Sequence, residues 1–175
     1  MQTYIALLRG INVSGHKKIL MADLKLLFES LGFEKVSTYI QSGNVVFGSD
    51  IESGLEAKIT NAIQIKYGFI VPVLVKKASE LSEIISKFPF SDEKREKSYF
   101  ILLDENPAGE NKSLTSGFSH SKEEFHIEGN CVYIYYSEGA GKAKMGTNFF
   151  EKKLKVTATA RNYRTMTRLL ALAGL

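Results

Sequence analysis

The amino-acid sequence predicts an α+β fold: two ferredoxin-like βαββαβ subdomains in tandem, an internal duplication whose antiparallel sheets are covered by helices. Three observations carry that reading. The order strand, helix, two strands, helix, strand is legible in residues 1–77, it returns in residues 98–175, and each half has a Gly-Asn pair within its hairpin. Residues 78–97 between them read as a linking helix and a charged linker.

Tyr4 to Leu8 is an apolar run of strand length. Leu20, Leu24, Leu27, Phe28 and Leu31 follow at helical spacing, and Gly32 stands where a C-terminal cap belongs. Val36 to Ile40 and Val45 to Phe47 are β-rich runs around Gln41-Ser42-Gly43-Asn44, which reads as a hairpin. Leu55, Ile59, Ala62 and Ile63 share the face of a second helix that Gly68 closes. Val71 to Val75 completes the first half, with Pro72 favouring an edge position. Ala78 to Phe88 is amphipathic and stops at Pro89.

In the second half Tyr99 to Leu103 is a strand, and Asn106-Pro107 reads as a cap and first helical residue. Glu124 to Glu128 and Cys131 to Tyr136 flank the two-residue turn Gly129-Asn130. Thr147 is placed to cap a short helix with Phe150 and Leu154. Val156 to Thr159 reads as the last strand, and Asn162 as the cap of a final helix bearing Met166, Leu169 and Leu170.

The net charge of +4 permits phosphate-bearing partners without demanding them. No apolar run reaches the ~20 residues that span a bilayer, and the N-terminus lacks the basic start and small-residue cleavage site of a signal peptide. Cys131 is the only cysteine, which excludes an intrachain disulfide and a cysteine zinc framework and suits a reducing cytoplasm. No metal and no cofactor are expected.

Topology brings the polar residues to two edges. In a ferredoxin-like sheet the first strand ends beside the hairpin joining the second and third. Arg9, Gly10 and Asn12 are therefore expected next to Gln41, Ser42 and Asn44, all able to bond a polar ligand. The third and fourth strands end at the opposite edge. In the second half those ends carry the glycine-rich stretch with Lys142 and Lys144, and the helix start with Arg161, Asn162 and Arg164. Four cations there would repel one another, and an anion at the helix N-terminus would relieve that cost.

Neither loop is a nucleotide motif. Gly10 to Lys17 has the glycine spacing of a Walker A loop, but His16 and Lys17 stand where Lys and Ser/Thr belong. Gly141-Lys142 is followed by Ala143, so the magnesium-binding hydroxyl is missing. His16 is a candidate acid or base, whereas His120 and His126 have no metal-spaced companions. Cys131 reads as a small core residue. Tyr133, Tyr135 and Tyr136, with Phe100, read as half-buried sheet aromatics before a stacking surface for bases.

The stretches YIALLRGINV at Tyr4–Val13 and YIQSGNVVF at Tyr39–Phe47 resemble the signature of the bacterial family called domain of unknown function 1697. Thr159-Ala160-Arg161-Asn162-Tyr163-Arg164-Thr165 resembles its C-terminal signature. The resemblance implies a duplicated α+β fold and implies no reaction. Three positions depart from it: Ser14 replaces a usual glycine, Tyr163 a usual tryptophan, and Ala143 a usual serine between two cations. Were that serine hydroxyl a nucleophile, this chain would lack it, which favours binding or catalysis through other groups.

The leading functional reading is a cytoplasmic protein binding an anionic small molecule or nucleic acid at its basic loop edges, with no membrane partner. One alternative is a small hydrolase or transferase using Arg9 and His16. The other is a protein-interaction module.

Overall fold

A computed structural model describes all 175 residues, Met1–Leu175. The chain forms two compact units, one of Met1–Glu83 with Arg168–Leu175 and one of Ile84–Thr167. The fold is the α+β duplication that the order of periodicities predicts.

The first unit contains β1 (Gln2–Leu8), α1 (Met21–Ser30), β2 (Glu34–Tyr39), β3 (Asn44–Ser49), α2 (Leu55–Tyr67) and β4 (Val73–Lys77). Its four strands pair in the order β2-β3-β1-β4, every neighbour antiparallel. That is the split βαββαβ arrangement: β1 lies at the centre, and the β2–β3 hairpin folds against it. Tyr4, Ala6 and Leu8 of β1, with Val45 and Phe47 of β3, pack against Leu24 and Phe28 of α1 and Ile59 and Ile63 of α2. Each such side chain contributes about 1.5–3 kcal/mol when taken out of water. Ile5 and Leu7, on the other face of β1, are buried as well. A central strand with both faces covered is a continuous apolar run, which is how Tyr4–Leu8 reads.

The division between units falls inside α3 (Ala78–Ser86). The second unit holds β5 (Ser98–Leu103), α4 (Gly109–Ser116), β6 (Glu123–Glu128), β7 (Cys131–Tyr136), α5 (Thr147–Leu154) and β8 (Ala158–Asn162). α6 (Tyr163–Ala173) follows, and its residues from Arg168 onward group with the first unit. The second sheet repeats the first, β6-β7-β5-β8, all antiparallel. Its core joins Ile101, Val132 and Ile134 to Phe150 and Leu154 of α5.

Several element boundaries differ from the sequence reading. β4 begins at Val73 rather than Val71, because Pro72, next in register opposite Arg9, accepts the Arg9 N–H at 2.9 Å but has no N–H to return the bond. α4 starts at Gly109 after an extended Ala108, and the Asn106 side chain accepts from Lys112 Nζ instead of capping the helix. The last strand runs Ala158–Asn162, not Val156–Thr159. Lys155 ends α5 in the left-handed region (φ +57°), and Ala158, the first residue of β8 and opposite Leu103, turns its N–H away to Glu151 Oε1 at 2.8 Å. Thr147 is the first helical residue, with Gly146 as its cap.

Two substitutions test this core. Gly43 has a φ of +79°, and a Cβ there would stand 2.6 Å from Leu8 Cβ and 2.9 Å from Ile11 Cδ1. Gly43→Ala should lower stability by at least about 2 kcal/mol in urea unfolding, from steric overlap and left-handed strain together. The Tyr4 hydroxyl, in contrast, is buried without a hydrogen-bond partner. Tyr4→Phe removes an unpaired polar group, so it should leave stability unchanged or raise it by about 1 kcal/mol. A loss of stability in Tyr4→Phe would show that the hydroxyl is satisfied.

Candidate functional site

The loop after β1 is organised by one carboxamide. Asn12 Nδ2 donates to the Ile19 carbonyl and to the Gln41 carbonyl, each at 2.9 Å, and its Oδ1 accepts the Ile19 N–H at 2.9 Å. Asn12 also donates its backbone N–H to the Lys17 carbonyl, and His16 closes a tight turn onto Val13. Lys17 Nζ donates to the Ile70 carbonyl at 2.7 Å. Three non-glycine residues hold left-handed backbone here: Asn12, Ser14 and Lys17 (φ +56°, +49° and +46°). Ser14 holds a left-handed backbone that glycine adopts without strain.

The neighbouring hairpin turn is tied in the same way. Leu8 donates its backbone N–H to the Gly43 carbonyl at 2.8 Å. Asn44 is fully buried, and its Nδ2 donates to the Tyr39 carbonyl and to Ser42 Oγ. The structure therefore brings Asn12 beside Gln41 and Ser42 beside Asn44. The bonds that join them run within the chain and shape both loops. Arg9 is half-buried, and His16 is exposed.

The basic residues of the second unit separate into two places. β7 and β8 both flank β5, so their ends lie two strand spacings apart, about 9–10 Å. Arg161 belongs to β8, opposite Phe100, and is only 8% exposed. Its guanidinium donates to Thr159 Oγ1 and to the Ala160 carbonyl, both at 2.8 Å. Burial penalises its charge and pulls the guanidinium down to about 10. Asn162 accepts the Thr165 N–H at 2.8 Å and so caps α6, while Arg164 is exposed.

Lys142 and Lys144 instead line a cleft of about 310 Å³ at the end of β7, together with Lys122 and His120. Its architecture centres on Glu123, whose side chain is 3% exposed. The Glu123 carboxylate accepts the backbone N–H groups of Lys144 and Met145, the latter at 2.8 Å. Tyr136 Oη donates to the Met145 carbonyl at 3.0 Å and pins the same loop from below. His120 Nδ1 lies 3.8 Å from Glu123 Oε1, and Lys122 Nζ pairs with Glu138 at 3.0 Å. Lys142 and Lys144 remain exposed on the rim.

Glu123 and Lys122 were not singled out from the sequence, which read His120 only as a histidine without metal-spaced companions and Tyr136 as a sheet aromatic. A signal existed in the hairpin itself, since Lys122 and Glu138 flank the ends of its two strands and the turn fixes their register. Of the sheet aromatics, Phe100, Tyr133 and Tyr136 are buried, and Tyr133 Oη donates to the Ile84 carbonyl at 2.8 Å. They fill the sheet interior rather than a stacking surface. No group of three His, Cys, Asp or Glu side chains is placed to hold a metal ion, and no helix is long and apolar enough to cross a membrane.

The family model described as Protein of unknown function (DUF1697) matches residues 1–133, and the chain belongs to that family. No curated protein matches the chain. The structure of conserved bacterial protein SP0830 from Streptococcus pneumoniae is similar over 98% of both chains, with a TM-score of 0.73 and 20% identity. At that identity the likeness establishes a shared fold.

Tyr136 offers a pH test of the cleft. Burial first, then the charges of Glu123 and Tyr99, raise its phenol far above the ordinary value. The unfolded chain ionises this group near pH 10, while the folded chain keeps the proton to higher pH. Above about pH 10 the unfolded state therefore binds fewer protons, and stability falls as pH rises. Tyr136→Phe should cost about 0.5–1.5 kcal/mol at pH 7 by losing the bond to Met145. It should also flatten the loss of stability between about pH 10 and 11.5 in urea titrations. An unchanged alkaline slope would place the phenol in solvent.

Proposed function

We propose that this member of a family of unknown function is a binding protein whose ligand carries phosphate, of nucleotide size, held in the cleft between β6, β7 and the loop leading to α5. The observation that carries the reading is the cationic rim of that cleft. Lys122, Lys142 and Lys144 against Glu123 and Glu138 leave one net positive charge with His120 neutral. Glu123 is turned inward onto two backbone amides, and Glu138 is paired with Lys122, so Lys142 and Lys144 carry the uncompensated charge. The cleft's size lies at the lower end of small-ligand sites, about 300–1,000 Å³. Arg161 and Arg164 enter this reading only as a separate basic feature of β8 and α6. A cytoplasmic setting suits the single, buried Cys131.

Lysine acts on phosphate as a point charge through charge-assisted hydrogen bonds, each typically worth about 1.5–3 kcal/mol. A ligand bound only by the native state raises the melting temperature. The wild-type chain should therefore gain thermal stability in millimolar phosphate and in a nucleoside diphosphate, relative to chloride at matched ionic strength. Lys142→Ala and Lys144→Ala should each weaken that binding by about tenfold or more, while leaving stability in chloride unchanged because both side chains are exposed. If the wild type shows no shift beyond chloride, the cleft is a solvated surface. A short single-stranded oligonucleotide that binds with a steep salt dependence, unaffected by either substitution, would move the function to another basic surface.

A further inference from the structure

The lysine-rimmed cleft contains one more group able to carry positive charge, His120, and its ring is held in a defined place. The residue stands at the turn into β6, half-buried, and its carbonyl accepts the Glu123 N–H at 3.1 Å. Its Nδ1 accepts the Lys122 backbone N–H at 3.4 Å. That bond assigns the proton of the neutral ring to Nε2, the nitrogen left to a ligand.

Glu123 offers the ring a second partner. Its Oε1 accepts the Lys144 N–H and its Oε2 the Met145 N–H. A carboxylate has about four acceptor sites, so Oε1 keeps one, and His120 Nδ1 lies 3.8 Å away. Protonation places a donor on Nδ1, which a small rotation of the ring brings onto Oε1, while Nε2–H stays with the cleft. The charges lining the cleft act on that proton in opposite directions. Glu123 favours it, and Lys122, Lys142 and Lys144 oppose it. Glu138 is paired with Lys122, and the Tyr136 phenol is protonated and donates to the Met145 carbonyl. An anion seated among the lysines cancels their opposition.

We propose that His120 binds the ligand in its protonated form and completes a site for a phosphate dianion, so that binding takes up a proton. The inference rests on the phosphate reading of the cleft and narrows it to a monoester or a terminal phosphate. A phosphodiester carries a single charge and gains less from the same cations. Imidazole ordinarily changes charge between about pH 5 and 8. The coupling is reciprocal: a proton on the ring strengthens dianion binding by the same factor as the dianion strengthens proton binding.

Inorganic sulfate is the probe, because it keeps two negative charges across that range. It is titrated into the full-length chain at constant ionic strength and followed through the amide signals of Lys142 and Lys144. Sulfate should bind about fivefold or more tightly at about pH 5.5 than at about pH 8. A nucleoside 5′-monophosphate loses its second charge near about pH 6, so its affinity should instead peak at about pH 6–7. His120→Gln keeps a donor without the charge and should abolish the pH dependence of sulfate. His120→Lys should bind sulfate tightly at both pH values, and His126→Gln, on the opposite face of β6 from Glu123, should behave as wild type. Equal sulfate affinity at the two pH values, or a pH dependence that survives His120→Gln, overturns this inference and leaves the phosphate reading standing. If sulfate binds at neither pH, both fall.

Discussion

The architecture of the first unit depends on the close approach between the Gly43 backbone and the side chains of Leu8 and Ile11. A Cβ at Gly43 would lie 2.6 Å from Leu8 Cβ, so the β2–β3 turn reaches its position only because that atom is missing. The Leu8 N–H bond to the Gly43 carbonyl then locks the end of β1 to the turn, in register with Leu7↔Asn44. With the turn in place, the Gln41 carbonyl comes within reach of Asn12, whose carboxamide also bridges to Ile19 at the entrance to α1. One steric constraint thus fixes the strand, the loop after it and the start of the first helix. The residues that resemble a family signature (Gly43, Asn44 and Asn12) are the ones that make this junction possible.

Much of the fold was legible in the sequence because its signals are local. The buried central strand reads as an apolar run at Tyr4–Leu8, the turn at Gly129-Asn130 fixes a hairpin register, and Asn162 has the side chain that caps a helix. Arg161 shows how a small boundary shift changes chemistry. With the last strand ended at Thr159, Arg161 falls at an exposed helix start. With the strand carried to Asn162, it shares a sheet face with Thr159 and is buried. The alternation Ala158, Thr159, Ala160, Arg161 held that information, since a period of two puts the alanines on one face and the polar pair on the other. Glu123 was beyond local rules, because the amides it accepts belong to Lys144 and Met145, more than twenty residues further along the chain.

The two units share a topology and use it for different ends. In the first, the residues at the end of β1 bond to the adjacent turn, and polar groups that could face a ligand shape the backbone instead. In the second, the loop after β7 is held from within by Glu123 and Tyr136, and this frees its lysines to remain on the rim. A buried carboxylate on two backbone amides is the same interaction by which such amides hold an external anion. Here the chain supplies that anion itself, which orders the loop without neutralising Lys142 or Lys144 through a side-chain pair.

The same division appears at the sheet edges and follows from one structural difference. Between Glu34 and Ser37 a bulge adds one residue to β2, increases its local twist and breaks the ladder that a further strand would extend. β6 has no such interruption, and its exposed side chains provide the protection instead. Glu124, His126 and Glu128 alternate along its exposed face, Glu124 paired with Lys94 and Glu128 with Lys87. Those lysines compensate both carboxylates along this edge, and Glu123 stands at the boundary between the groove beside β6 and the lysine-rimmed cleft.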